Sequence, residues 1–125
     1  METAEATMTI QEIADRLVGH CRAGNYTAAQ EELYSDDAES IEPAHRPGLQ
    51  TVKGRDAIVA KGKEYQNMVE EVHGGSVSDP VIAGNHFAVA AVIDATMKGM
   101  GRSTMNEIAV YEVKDGKIVK EQFIY

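Results

Sequence analysis

The chain has 125 residues, of which 43% are hydrophobic and 26% charged, and this composition excludes a disordered or fibrous protein. Its 20 acidic and 12 basic side chains give a net charge of -8, so neither nucleic acid nor an anionic membrane surface is an expected partner. The lone Cys21 cannot form an internal disulfide, and no signal-peptide or membrane-spanning pattern is present, so we expect a cytoplasmic protein.

Two helices are predicted after a flexible leader of residues 1–8. Thr9 and Glu12 have the spacing of a capping box, and an apolar stripe follows them at helical spacing. The first helix is therefore predicted over residues 10–22, with Gly24 as its stop signal. A shorter second helix is expected to begin after Thr27 and to end near Ser35. Residues 9–125 are predicted to form a single domain.

A short strand and a third helix come next. Residues 38–43 predict a strand end, because a proline at position 43 pushes the preceding residue toward extended conformations. The segment 45–51 is expected to be a loop. Residues 56–68 have the apolar spacing of a helix, which is the last one that the sequence predicts.

The remaining chain alternates polar and apolar residues with a period of two, which is typical of strands. The strands are predicted at about 70–81, 86–98, 102–114 and 117–125. Asp115 and Gly116 form the strongest tight-turn dipeptide of the chain. Short turns make successive strands antiparallel neighbours, so the expected fold class is α+β with helices on one face of the sheet.

This order of elements resembles the nuclear transport factor 2-like superfamily, and within it the SnoaL-like and ketosteroid-isomerase-like proteins. The stretches that carry the resemblance are Gly24-Asn25-Tyr26, Tyr34-Ser35-Asp36-Asp37-Ala38 before Glu42-Pro43, Gly54-Arg55-Asp56-Ala57-Ile58, and Asp115-Gly116-Lys117-Ile118-Val119. The resemblance implies N-terminal helices packed in the concave face of a strongly curved antiparallel sheet, a cone-shaped, cystatin-like roll. It also implies a mostly apolar pocket for an uncharged or cationic small molecule, and a homodimer formed through the outer sheet face.

Glu42 is the first candidate catalytic residue. The resemblance implies that it occupies the position of the carboxylate that moves a proton between carbons, and it precedes Pro43 as that carboxylate precedes a proline. Such a base needs a semi-apolar pocket that raises its pKa toward the operating pH. The alternative is a solvated acid at the mouth of the pocket. The position where isomerases carry a donor tyrosine holds Leu17, which speaks against steroid isomerisation.

Asp94 and Glu107 are the next catalytic candidates. Asp94 interrupts the apolar run that begins at Phe87, and Glu107 precedes the run 108–111, so that an inward polar side chain at either position is costly unless it is paired or functional. The turn at Gly99 suggests a register in which both acids face one cavity and share a proton. Strand alternation equally allows Glu107 to lie on the solvated face, and both alternatives stay open.

Seven residues are candidates for contacting a ligand, since aromatic and methionine side chains form adaptable apolar walls. They are His45, Tyr65, Met68, Met105, Tyr111, Phe123 and Tyr125. His45 is placed to assist Glu42 at the mouth, and Tyr125 to donate its hydroxyl. The four histidines lack the spacing of a metal site, and neither a phosphate loop nor a dinucleotide fingerprint occurs, so no metal or cofactor is expected.

Three hypotheses about function remain open at this point. The first is a cofactor-free isomerase, cyclase or hydratase that acts on an apolar carbonyl or cyclic compound, with polyketide cyclases among its relatives. The second is a binding module that holds a small apolar ligand without converting it. The third is a dimeric interaction module with a vestigial cavity.

Overall fold

The computed structural model describes residues 7–45 and 48–125. Its elements are α1 (Ile10–Arg22), α2 (Tyr26–Leu33), β1 (Tyr34–Ile41), β2 (Val52–Lys53), α3 (Arg55–Met68), β3 (Val69–Val77), β4 (Val81–Ala83), β5 (His86–Met97), β6 (Gly101–Lys114) and β7 (Lys117–Ile124). The sheet has the strand order β2-β1-β7-β6-β5-β3, and β4 pairs with β5. Most of the predicted leader lies outside the described residues, whereas Met8 packs against the core.

The α1 helix forms where the capping box predicts it. Thr9 accepts a hydrogen bond from the backbone N–H of Glu12, and the Glu12 side chain accepts one from the backbone N–H of Thr9. The helix buries Ile13, Ala14, Leu17 and Val18 against the sheet. This amphipathic stripe supplies the first layer of the core.

The register of β5 and β6 decides which side chains face the helices. Phe87 lies opposite Tyr111, and Ala91 lies opposite Glu107, so alternate residues along both strands share the inner face. The rings of Phe87 and Tyr111 stack with centroids 4.8 Å apart. The α+β fold, with N-terminal helices against one face of a large, curved and unclosed sheet, is confirmed.

Several boundaries differ from the prediction, and α2 begins at Tyr26, ahead of Thr27, with Asn25 as its N-cap. Tyr34 starts β1 instead of ending α2, because its buried ring packs into the core as part of the strand. The single strand expected over 70–81 is two strands, β3 and β4, which are separated by Ser78, Asp79 and Pro80. A proline cannot donate a ladder hydrogen bond, which explains the break.

The sheet contains one parallel pair, between β1 and β7, among the residues that the structure describes. In this pair Ser40 lies beside Glu121, and both side chains are buried. The β1 strand thereby continues the inner face that β5, β6 and β7 begin. Within residues 7–45 and 48–125, no helix has the length and apolar character required to cross a bilayer.

Candidate functional site

A buried ion pair joins α3 to the end of β1. The Nζ atom of Lys61 lies 2.8 Å from Oε2 of Glu42, and both side chains are only 7% exposed. The same ammonium donates to the Oγ atom of Ser40 at 2.7 Å and lies 5.6 Å from the centroid of the Phe123 ring. Charges taken out of water need such partners, since burying an unpaired ion costs on the order of several kcal/mol.

The second carboxylate oxygen of Glu42 is also occupied. The hydroxyl of Tyr125 donates to Oε1 of Glu42 at 2.8 Å. The side chain of Glu42 is therefore buried, and it acts as an acceptor between a lysine and a tyrosine. Such a carboxylate is held in one orientation by its partners.

Glu121 on β7 is a second buried carboxyl group, with an exposed fraction of 3%. The hydroxyl of Tyr34 donates to its Oε1 atom. Burial raises the pKa of Glu121, while hydrogen bonds from Tyr34 and Ser40 and the charge of Lys61 oppose that rise. Glu121 and Glu42 therefore belong to one polar network, with Ser40 and Lys61 between them.

Glu107 on β6 faces the same side of the sheet as Glu121 but stands outside this network. It is partly buried and makes no hydrogen bond or ion pair within residues 7–45 and 48–125. Burial, together with the charges of Glu42 and Glu121, raises the pKa of Glu107 to about 7. A carboxyl group with this pKa can both accept and release a proton at neutral pH.

Three weakly acidic groups on the helices interact electrostatically with Glu107. Burial raises the pKa of Cys21 on α1 to about 11, with further contributions from Glu121 and Glu107. Burial also raises the pKa of Tyr26 on α2 and of Tyr65 on α3, and the charge of Glu107 adds to each rise. All three groups keep their protons at neutral pH, so they are neutral neighbours of Glu107.

Asp94 does not join this cluster, and the expectation that it faces the same cavity as Glu107 is wrong. In the β5–β6 register Asp94 lies opposite Thr104, and Ala91 lies opposite Glu107. Residues 91 and 94 are three positions apart, and side chains an odd number of positions apart on a strand point to opposite faces of the sheet. Asp94 therefore lies on the outer face. There Arg102 binds both of its carboxylate oxygens, at 3.0 and 2.9 Å.

The predicted ligand-contacting residues are divided among several environments. Tyr111 is 5% exposed and stacked on Phe87, so it packs in the core instead of lining an open pocket. Tyr65, Met68, Met105 and Phe123 are partly buried, and Met105 shares the inner face with Glu107. His45 is exposed and contacts neither carboxylate oxygen of Glu42, which are bound by Lys61 and Tyr125.

Two cavities border the network without including Glu107. One of about 220 Å³ is lined by Pro43, His45, Gln122, Phe123, Ile124 and Tyr125. The other, of about 390 Å³, is lined by Gly48, Gln50, Val52, Ala57, Ala60, Lys61 and Glu64. The first touches the network at Tyr125 and the second at Lys61. Across the part of the chain that the structure describes, no group of three or more metal-ligating side chains is assembled.

Lys61, Ser40 and Glu121 are members of the buried network that the sequence patterns above do not indicate. Lys61 carries a signal that could have revealed it, because it follows the buried Ile58 by three residues and precedes Tyr65 by four. That spacing places a lysine on the apolar face of an amphipathic helix. Glu121 similarly alternates with Phe123 along β7.

Several solved structures share the fold. A SnoaL-like polyketide cyclase candidate from Mesorhizobium loti is 39% identical, with 94% of this chain and 100% of that chain covered and a TM-score of 0.86. A ketosteroid-isomerase-like protein from Catenulispora acidiphila, solved in complex with trimethylamine, is 23% identical with a TM-score of 0.72, covering 94% of this chain and 87% of that chain. IdmH, a polyketide cyclase candidate from Streptomyces antibioticus, is 21% identical with a TM-score of 0.66, covering 90% of this chain and 88% of that chain.

The sequence comparisons agree with the structural ones. Among curated proteins no sequence matches significantly. The model of the SnoaL-like domain matches residues 8–125, which is nearly the whole chain. The resemblance seen in the turns and in the order of elements is thus confirmed, and this chain belongs to the SnoaL-like domain family.

Proposed function

We propose that this protein is a cofactor-independent enzyme that transfers a proton within an apolar carbonyl or cyclic compound, as isomerases and cyclases do. The observation that carries the proposal is Glu107, a partly buried carboxyl group without a hydrogen-bond or ion-pair partner among the described residues. Its pKa of about 7 suits a general base, because proton transfer is most effective when the pKa lies near the operating pH.

Glu107 replaces Glu42 as the proposed base. Both oxygens of Glu42 are bound, one by Lys61 and one by Tyr125, so a substrate proton would have to displace an existing partner. The carboxyl group of Glu107 has no hydrogen-bond or ion-pair partner among the described residues that a substrate would have to displace. We therefore assign Glu42 an electrostatic role, since its charge raises the pKa of Glu107.

Tyr26 and Tyr65 are the proposed hydrogen-bond donors. Their hydroxyls have no hydrogen-bond partner among residues 7–45 and 48–125, whereas those of Tyr34 and Tyr125 are committed to carboxylates. Their raised pKa values keep them protonated at neutral pH. Donors that are already in place stabilise a developing oxyanion, and Tyr65 is the better shielded of the two from water, because Tyr26 is 38% exposed.

The proposed step is balanced without a further reactant. The ionised carboxylate of Glu107 accepts a proton from the carbon next to a carbonyl group, and the C–H electron pair moves to form an enolate. A tyrosine hydroxyl donates a hydrogen bond to the enolate oxygen. Glu107 then returns the proton to another carbon of the same molecule, which restores the carboxylate.

Exchange of deuterium from solvent into a panel of cyclic ketones tests the proposal. The Glu107→Gln variant should exchange about 10²- to 10⁴-fold more slowly than the wild type, which is the usual cost of losing a general base. Glu112→Gln is the matched control, because Glu112 is on the same strand but faces outward beside His86. Exchange by Glu107→Gln at the wild-type rate would contradict the proposed role of Glu107.

A second candidate is the capture of a small cationic ligand without conversion. The excess of acidic groups favours it, since Lys61 pairs with Glu42 and its charge acts on Glu121, whereas Glu107 has no ion-pair partner among the described residues. Trimethylamine is the chosen probe because the Catenulispora acidiphila protein of the same fold was solved with it. Calorimetric binding that is lost in Glu107→Gln, together with no deuterium exchange by the wild type, would support capture over catalysis.

The homodimer and the cytoplasmic location remain parts of the proposal. Exposed apolar side chains on the outer sheet face, Ile108 at 47% and Ile124 at 51%, support a dimer through that face. Light scattering of the wild type and of Ile108→Lys would test the dimer, and the variant is expected to be monomeric.

Cell fractionation would test the cytoplasmic location, for which the lone cysteine is the supporting feature.

A further inference from the structure

We propose that Lys61 is a positioning residue of the site: its buried ammonium holds Glu42 as a fixed anion, which leaves Glu107 as the carboxyl group that exchanges a proton with the ligand. This inference rests on the proposed role of Glu107. It adds a residue on α3 to a mechanism that otherwise involves carboxyl and hydroxyl groups.

The geometry around Lys61 supports this role. Its Nζ atom is 2.8 Å from Glu42 Oε2 and 2.7 Å from Ser40 Oγ, and its side chain is 7% exposed. These contacts commit the ammonium to the wall of the site instead of to a ligand. Because Lys61 is on α3, its ion pair with Glu42 links this helix to the end of β1.

The environment makes the charge of Glu42 depend on Lys61. Both side chains are almost fully buried. A buried ion without its partner costs on the order of several kcal/mol, so such a group takes up or loses a proton instead. Removing the ammonium should therefore cause Glu42 to bind a proton. The hydroxyl of Tyr125 can remain a donor to the neutral carboxyl group.

The pKa of Glu107 should respond to the loss of the negative charge on Glu42. The titratable groups that face it are Cys21 on α1, Tyr26 on α2, Tyr65 on α3, Glu42 after β1, Tyr111 on β6 and Glu121 on β7. Of the two carboxyl groups in this set, Glu42 is the one with a direct ion pair among the described residues. Losing the negative charge of Glu42 should make Glu107 a stronger acid.

Carbon-13 NMR of the glutamate side-chain carboxyl groups tests the inference without any substrate. The titration midpoint of Glu107, assigned by its absence in Glu107→Gln, should fall by about 0.5 pH unit or more in Glu42→Gln. In Lys61→Met the midpoint should fall less than in Glu42→Gln, because the positive charge of Lys61 is lost together with the negative charge of Glu42. The double variant should have the same midpoint as Lys61→Met, because Glu42 is already neutral in that single variant. Lys63→Met, which changes an exposed lysine on the same helix, should keep the wild-type midpoint.

Two results would overturn the inference. One is a Glu107 midpoint in Lys61→Met that lies above the midpoint of the double variant, since Glu42 would then stay charged without the ammonium. The other is a double variant whose shift is the sum of the single shifts.

A second variant keeps the inference testable if Lys61→Met does not fold. The comparison then uses Lys61→Arg, which keeps the charge and should keep the wild-type midpoint of Glu107. A midpoint in Lys61→Arg as low as that of Glu42→Gln overturns the inference. The deuterium-exchange experiment is independent, so a failure of catalysis is distinguishable from a failure of this coupling.

Discussion

The hydroxyl of Tyr125 donates a 2.8 Å hydrogen bond to Oε1 of Glu42, so the last residue of the chain is bound to the end of β1. The partner strand β7 runs parallel to β1 and ends just before Tyr125. This bond and the ion pair with Lys61 together occupy both oxygens of Glu42. The orientation of Glu42 is thus decided by residues from a helix and from the end of the chain.

Replacing Tyr125 with phenylalanine should therefore destabilise the fold modestly. The substitution keeps the ring but removes the donor to a charged acceptor, at an expected cost of about 1–2 kcal/mol. Urea unfolding monitored by circular dichroism measures the difference. Tyr26→Phe is the control and should change the stability by less than about 0.5 kcal/mol, because the Tyr26 hydroxyl has no bond among the described residues. Equal losses in the two variants would contradict this assignment.

The stability should decrease as the pH rises toward and through 7. Burial and two neighbouring carboxylates raise the pKa of Glu107 from 4.5 to about 7, so the folded state binds this proton more tightly than the unfolded state. The favourable contribution is complete below pH 4.5 and is lost as the pH rises through about 7. The loss should be about 2 kcal/mol, allowing for the partial exposure of Glu107.

Thermal or urea unfolding at several pH values between about 4.5 and 8 measures this effect. The Glu107→Gln variant should show a flatter dependence, because its amide does not ionise. It should also be more stable than the wild type above the pKa of Glu107. An unchanged slope in Glu107→Gln would mean that another group, such as the buried Glu121, dominates the dependence.

Gly75 on β3 should tolerate alanine far less well than its neighbour Gly74. A Cβ atom at Gly75 would lie 2.5 Å from the carbonyl oxygen of Val92, which is backbone and cannot move alone. A Cβ atom at Gly74 meets nothing within 4 Å. Gly75→Ala should lose about 1–3 kcal/mol of stability, and Gly74→Ala should stay near the wild type. Chemical denaturation of both variants checks the difference, and equal stabilities would refute it.

Replacing Asp94 with asparagine should leave the site unaffected. The carboxylate of Asp94 binds Arg102 on the outer face, and exposed ion pairs contribute about 0–1 kcal/mol. Ligand binding and the Glu107 titration midpoint should both match the wild type. Weaker ligand binding or a shifted Glu107 midpoint in Asp94→Asn would show that a group on the outer face affects the site.

Local patterns were enough to predict the helices and most strands. The capping box at Thr9 and Glu12 and the apolar stripe after it define α1, because helix start signals act within one turn of chain. The turn at Asp115 and Gly116 likewise places β6 and β7 side by side. The split between β3 and β4 was missed, although Pro80 marks it.

The candidate site was predicted only in part. The sequence pattern indicates Glu42 and Glu107 as candidate acids, but strand alternation alone does not decide on which face of the sheet Glu107 lies. The pattern also placed Asp94 in the same cavity, because the register of a hairpin is not determined by the turn residues alone when Gly99 and Gly101 both take positive φ values. A shift of one residue in the strand register moves every side chain to the opposite face of the sheet. In the observed register Asp94 lies on the outer face.

By itself, the sequence determined the α+β class, the family and the identity of the acids, because periodicity, caps and turn residues act over a few positions along the chain. The tertiary structure decided which acid has no partner among the described residues. Lys61 and Tyr125 reach Glu42 from 19 and 83 residues away in the chain, and together they bind it. Burial and like charges then act on Glu107, and these forces depend on distances in space that no local pattern encodes.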